Sequence, residues 1–497
     1  RPSGIASVIL ALSSVGAAEQ KPLVAGPGPT SSKNPLTDEF GEFVAQKLDK
    51  WKVPGMSLAV IDGDDIYTEG YGFATLPDTK ATPETLWYGA SATKAQVAAT
   101  LAQLIASKQH PQLADGWSTT MSSILRDDFV QQDEWAMNHI TLEDAASHRT
   151  GMARHDKSSA RVINGTQVVP RDIVRNLRNL RNLPLAAKPR VTFYYCNLMY
   201  VTLGHAIETI TGKWQGRAAG TGAPCCGILL GQAHPGVQGG RPDGGRGRRR
   251  GRCRHIYRRR LRLCLLHAAP FSRSVHRDIK KPRMLATTAP RRGLDISLYG
   301  LAWNRKLSKG HVIYTHAGGM HAFGAQVYWL PDAKFGAVAF ANTAWTSNAV
   351  EDVIIYRLIH DKLGIPESER IDFDKDWEEE MDKTTGEVKD ADKILFPDQP
   401  EPPLPSMFKT SDLVAGREDP RGRPRRYDMA VPIQPYHVSG DYWVVYTKTP
   451  WNPTFPVEFQ PGEFHKGVDG KASGLEIKWM SRTGSMEEGK AFFKRVS

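Results

Sequence analysis

Ser91-Ala92-Thr93-Lys94, Tyr195-Cys196-Asn197 and His316-Ala317-Gly318 follow one another along this chain, separated by domain-sized stretches. Taken together they demand a fold that brings two helix starts and a strand to one place from distant parts of the sequence. A serine hydroxyl is a poor nucleophile near neutral pH and needs an adjacent base. On a helix, residues three apart share a face, so Ser91 and Lys94 lie within reach of each other. A serine at a helix start also offers its backbone N–H to a developing oxyanion.

The second motif supplies a tyrosine that can hold or take a proton beside a lysine, each charge favouring the other. It also supplies Asn197, whose amide can donate to a substrate carbonyl and accept from the lysine. The third motif ends a β-type run, Val312–Thr315. Its small residues let a substrate lie along the strand, and the Gly319 N–H is a candidate second oxyanion donor. Each motif has a plain structural reading: a helix start with an exposed lysine, a core tyrosine followed by an N-cap, a strand end. Ser406-Met407-Phe408-Lys409 also fits SxxK but follows a proline-rich stretch and has no partner motifs after it. The loose pattern alone therefore carries little.

The surrounding periodicity places the motifs on elements. Leu36, Phe40, Phe43, Val44 and Leu48 recur at helical spacing. Met56–Ile61 and Ile66–Tyr71 predict two strands joined through Asp62-Gly63-Asp64-Asp65, a hairpin signal. Ser91–Lys108 and Leu198–Thr211 predict helices, the second closed by Gly212. Thr141 to Asp144 reads as a capping box that opens another helix and leads to His148-Arg149-Thr150-Gly151-Met152. Strands are expected at Tyr299–Trp303, Val312–Thr315, Ala322–Leu330 and Gly336–Asn342, then a helix at Val353–Leu363. An acidic segment and the prolines from 397 to 405 read as a linker. Aromatic-rich runs at Tyr442–Tyr446 and Leu475–Met480 predict a small β domain.

The +12 net charge of the 497-residue chain seems to invite a nucleic-acid partner. Its distribution argues otherwise. Residues 217–273 hold thirteen arginines, one acid (Asp243) and no lysine, which is the entire excess. Four of the five cysteines, 225, 226, 253 and 264, fall there too, so no disulfide framework is implied. A zinc site built from Cys253, His255, Cys264 and His267 is the alternative use of that cluster. No run reaches the ~18–20 apolar residues of a membrane span. Residues 1–33 read as a disordered leader or a signal remnant, the former favouring a cytoplasmic protein. Asn164-Gly165-Thr166 is a single glycosylation sequon.

Pro54-Gly55-Met56-Ser57, Tyr71-Gly72, Thr85-Leu86 before Ser91, the 148–152 motif, Tyr195-x-Asn197, His316-x-Gly318, Pro331-Asp332 and Asn342 together resemble one family. It is the class C β-lactamase, esterase and D-aminopeptidase branch of the penicillin-recognising serine hydrolases, and the likeness covers residues 35–216 and 275–363. The resemblance implies an α/β (α+β) fold, an antiparallel sheet flanked by helices plus a helical subdomain. It implies an acyl-enzyme on Ser91, with Lys94 and Tyr195 sharing the base role. Asn197, His316, Gly318 and Gly319 would line the substrate site, and the backbone N–H groups of Ser91 and Gly319 would form the oxyanion hole. No metal or organic cofactor is implied, and the expected partner is a small-molecule or peptide substrate rather than nucleic acid or membrane. The absence of a Gly-x-Ser-x-Gly elbow argues against an α/β-hydrolase.

Expected domains are therefore a leader at 1–33, a hydrolase domain at 34–363, a linker at 364–405 and a small β-rich domain at 406–497. Residues 217–273 depart from the family, with Arg/Gly/Cys/Pro-rich text of the kind a GC-rich frame gives when misread. Arg417–Arg426 departs in a similar way. A frame or splicing error is the expectation for 217–273, and an intact transcript encoding these arginines would contradict it. The competing functions are an acyltransferase, a pseudoenzyme whose cleft wall is lost, and an Arg/Gly RNA-binding protein.

Overall fold

In a computed structural model the protein is described at residues 34–156, 162–163, 166–167, 174, 179–213, 272–290, 294–320, 322–343, 345–408, 433–447, 457–480 and 487–494. The expected leader, nearly all of the arginine-rich segment with its four cysteines, the 417–426 departure, Asn164 of the sequon and Lys409 lie outside the described residues.

The hairpin predicted around Asp62-Gly63 is the edge of a nine-stranded antiparallel sheet. Strand β1 (Gly55–Asp62) pairs with β2 (Asp65–Thr75), which pairs with the short β3 (Thr79–Lys80). Gly63 takes φ +62° in the turn, a conformation glycine adopts without strain. A separate ribbon, β4 (Val162–Ile163) with β5 (Thr166–Gln167), lies in the connection. The sheet continues through β6 (Met284–Thr287), β7 (Ser297–Tyr299), β8 (Asn304–Ser308), β9 (His311–Met320), β10 (Phe323–Leu330) and β11 (Phe335–Asn342). Its order is β3-β2-β1-β11-β10-β9-β8-β7-β6, so the first and last strands of the unit meet at β1 and β11.

Strands β1, β10 and β11 are buried on both faces, which is why they read as continuous apolar runs rather than alternating ones. Ala59, Ile61, Val327, Val338 and Phe340 point to one core, with helices Lys94–Ser107 and Asn197–Thr211. Leu58, Val60, Tyr328, Ala337 and Ala339 point to the other, with helices Asp38–Lys50 and Thr346–Lys362. The short helices Met121–Ile124, Glu134–His139 and Leu142–Ala146 add the helical side of the first core. No helix among the described residues is long and apolar enough to cross a membrane.

Two expectations change. The strand expected at Tyr299–Trp303 stops at Tyr299: Gly300 N–H donates to Trp303 O at 2.8 Å and Ala302 takes φ +64°, so this is a turn between β7 and β8. The stretch expected as a linker contains a 17-residue helix, Phe373–Lys389, whose face is docked on the second core. Phe373 stacks on Tyr356 at 3.9 Å between centroids, Trp377 Nε1 donates to Asp352, and Asp374 accepts from Trp51 Nε1 and pairs with Lys47 and Lys50. Beyond it, five strands form a separate antiparallel sheet, β12 (Ile433–Ser439) to β16 (Glu487–Lys494), with β13 (Tyr442–Thr447), β14 (Glu458–Lys466) and β15 (Ala472–Met480) between them.

Candidate active site

Ser91 lies in a 3-10 turn, Ala90–Thr93, that runs into helix Lys94–Ser107. The turn begins with buried Ala90 at φ +42°, a left-handed backbone for a residue with a Cβ, costing on the order of 1–2 kcal/mol. Such strain persists only where surrounding structure fixes it, and here it accompanies the turn that sets Ser91 Oγ beside Lys94. Lys94 is 3% exposed. Its Nζ donates to Ser91 Oγ at 3.0 Å and to Asn197 Oδ1 at 2.6 Å, and it lies 4.9 Å from the Tyr195 ring centroid and 5.4 Å from that of Tyr200. The helical spacing of SxxK thus gives the contact that the sequence predicts.

Tyr195 and Asn197 flank Cys196, the extended N-cap residue of helix Asn197–Thr211. Two hydrogen bonds tie this turn to His148: Cys196 N–H donates to His148 Nδ1 at 3.0 Å, and Tyr194 N–H to His148 O at 2.8 Å. His148 is fully buried with φ +58°. Burial, followed by the Lys94 charge, holds it well below the usual imidazole range, so it is neutral, and its Nδ1 accepts. Its ring centroid lies 4.2 Å from that of Tyr195.

The Asn197 amide is held at both ends. Oδ1 accepts from Lys94, while Nδ2 donates to Asp156 Oδ1 at 2.8 Å. Asp156 in turn takes Arg154 Nε at 2.9 Å and a second guanidinium nitrogen at 2.8 Å. Burial works against ionisation of Asp156, but Arg154, the Asn197 amide and Lys94 outweigh it and hold the carboxyl below its ordinary range. The Arg154 guanidinium carbon sits 5.2 Å from the Tyr195 ring centroid, so two cations flank that ring.

Strand β9 continues through the third motif to Met320 instead of ending at Thr315. This fixes which residues face out. His316 is 3% exposed and lies on the same face of β9 as Gly318, with its ring centroid 6.3 Å from that of Tyr195. Its Nδ1–H donates to Ala317 O at 2.6 Å and its Nε2 accepts from Tyr299 O–H at 3.1 Å. Burial, then the Lys94 charge, pushes it down to about 3, so it is a neutral, internally satisfied imidazole. Ala317 and Gly319 are the exposed residues of the motif. Gly318 is packed against the Ser91 turn: a Cβ there would lie 2.3 Å from Gly89 O, which only glycine avoids. Asn348 Nδ2 donates to Gly318 O at 3.0 Å and fixes the strand from its other side.

The structure therefore brings Ser91, Lys94, Tyr195, Asn197, His316 and Gly318 together, with Gly319 the next residue along β9. Asp156, Arg154 and Tyr299 are additions the sequence reading missed. The only local signal was the Arg154-His155-Asp156 triplet directly after the 148–152 motif. The arrangement sets a serine hydroxyl against a lysine amine, with a tyrosine ring and a side-chain amide beside them, the groups that proton transfer to and from Ser91 Oγ requires.

A family model described as Beta-lactamase matches residues 40–220. An unguisins hydrolase of Aspergillus campestris is 33% identical over 518 aligned residues, covering 94% of each chain. A second, from Aspergillus violaceofuscus, is 30% identical and covers 95% of this chain and 92% of its own. Among solved structures, the octameric penicillin-binding protein homologue from Pyrococcus abyssi shares the fold at TM-score 0.50 and 15% identity, over 93% of this chain and 96% of that one.

Proposed function

This chain belongs to the serine β-lactamase and penicillin-binding-protein-like family, and on that premise we propose that it hydrolyses amide or ester bonds through an acyl-enzyme on Ser91. The observation that carries the reading is the position of Lys94 Nζ, 3.0 Å from Ser91 Oγ and 2.6 Å from Asn197 Oδ1. Ser91 Oγ attacks the carbonyl carbon as its proton passes to the Lys94–Tyr195 pair. The C=O π pair moves onto oxygen, and the Ser91 and Gly319 backbone N–H groups receive that oxyanion. Collapse re-forms the carbonyl and expels the amine or alcohol, which takes the proton. Water then repeats the sequence on the acyl-enzyme and frees the acid. Removing one oxyanion donor from such a site typically costs ~10²–10³ in rate.

Asn197 has one amide hydrogen on Asp156 and one left for a substrate carbonyl. His316, bonded to Tyr299 O–H and Ala317 O, sits beside Tyr195 on the Gly318 face of β9. Since both relatives are named for acting on unguisins, those compounds are the first substrates to try. The test is hydrolysis of unguisins, aryl esters, D-amino-acid amides and a chromogenic β-lactam by the wild type and by Ser91→Ala. Serine-dependent turnover of any of them supports the reading. Turnover that survives in Ser91→Ala, or none on any substrate by a folded wild type, contradicts it.

A further inference from the structure

Helix Arg273–Lys280 packs beside the far half of helix Lys94–Ser107, and the two border an open cavity of about 780 Å³. At the 1.5 Å rise of an α-helix this lies roughly 15 Å along from Lys94. One wall is apolar, with Ala102, Ile105, Ala106 and Val275, and another is aromatic, with Tyr314 of β9 and Trp329 of β10. Lys280 lines it. Its Nζ sits 5.2 Å from the Tyr314 ring centroid, 5.5 Å from Trp303 and 5.8 Å from Trp329. Such a cage holds a cation by the ring quadrupoles but supplies no counter-charge.

The remaining charged or titratable groups on the lining are His276, Arg277, Asp278, Lys281 and Tyr314; the wall from helix Lys94–Ser107 has none. The one acid, Asp278, is already taken, accepting from Trp117 Nε1 at 2.6 Å and from Arg283 at 2.7 Å. Among the described residues Lys280 has no carboxylate partner. A cationic end beside apolar and aromatic walls, in a volume that suits a small organic molecule, selects for an anion with a hydrophobic body.

We propose that this cavity is a second ligand site, separate from Ser91, that takes an amphiphilic carboxylate with its carboxylate on Lys280 and its apolar chain along Ile105, Val275, Tyr314 and Trp329. Burial pushes the Lys280 ammonium down to about 8. A carboxylate favours the charged amine, so binding takes up a proton near pH 8, and affinity falls as pH rises above that value.

Sodium octanoate, titrated into the full chain and followed by tryptophan fluorescence and calorimetry, tests the proposal, with octanamide as the uncharged counterpart. The expected result is saturable one-to-one binding of octanoate, about tenfold or more tighter than octanamide, the worth of one charge-assisted contact. Lys280→Met should lose that discrimination, Lys280→Arg should keep it, and Ser91→Ala should bind octanoate as the wild type does. Absence of saturable binding below about 1 mM, equal affinity for octanoate and octanamide, or octanoate binding lost in Ser91→Ala each overturns the proposal. The octanoate–octanamide comparison on the wild type decides the matter even if Lys280→Met does not fold.

Discussion

Asp156→Ala is the most informative perturbation of the proposed site, because Asp156 is linked to Ser91 through Asn197 and Lys94. The substitution removes the acceptor that holds Asn197 Nδ2 at 2.8 Å. Asn197 Oδ1, 2.6 Å from Lys94 Nζ, then keeps its contact only by chance of amide rotation. A hydrogen bond to a charged group is worth about 1.5–3 kcal/mol. If that loss falls on the transition state, kcat drops roughly 10- to 150-fold. KM should change little, since Asp156 lies behind Asn197 and not on the proposed substrate path. The assay is steady-state hydrolysis of the best substrate by four proteins: wild type, Asp156→Ala, Asn197→Ala and the double variant. In the Asn197→Ala background, Asp156→Ala should cost almost nothing more, because the group it positions is gone. Unchanged kcat in Asp156→Ala, or the same loss with and without Asn197, would refute the positioning argument.

Three further outcomes follow from the same geometry. Gly318→Ala should lower both stability and activity, since its Cβ would meet Gly89 O at 2.3 Å, whereas Gly319→Ala, with its nearest neighbour at 3.6 Å, should fold with a similar melting temperature; equal melting shifts would contradict this. His316 is neutral when folded and is pushed down to about 3, so the unfolded chain binds its proton first as pH falls below ~6.5. Stability should therefore fall on acidification from that point towards pH 3, by up to ~1.4 kcal/mol per pH unit for this group, and urea midpoints of His316→Gln should show a shallower dependence. Asp144 is fully buried and bonds Arg149, Arg190 and the Thr141 N–H. Asp144→Ala should cost about 2–4 kcal/mol by chemical denaturation, and a loss under ~0.5 kcal/mol would mean those contacts are idle.

The parts legible in the sequence are those set by local chemistry. The Asp62-Gly63 hairpin, the capping box at Thr141 and the helix end at Gly212 each follow from residues within a few positions, and each forms as expected. The Ser91–Lys94 contact is of the same kind. The misread parts depend on partners far along the chain. Asp156 meets Asn197 forty-one residues away, a pairing that the Arg154-His155-Asp156 triplet does not specify. Helix Phe373–Lys389 reads as a polar linker because only Phe373 and Trp377 are buried, and its docking rests on Tyr356, Asp352 and Trp51. Strand β9 runs on to Met320 instead of stopping at Thr315, so alternation puts His316 and Gly318 on one face and Ala317 and Gly319 on the other.

The central claim is that Ser91 carries the acyl group. It is tested most directly by quenching the enzyme during turnover of a slow ester and mapping the adduct by peptide mass spectrometry. The account predicts an acyl mass on the peptide containing Ser91, absent from Ser91→Ala. An adduct on any other residue, or steady hydrolysis by Ser91→Ala, would contradict it.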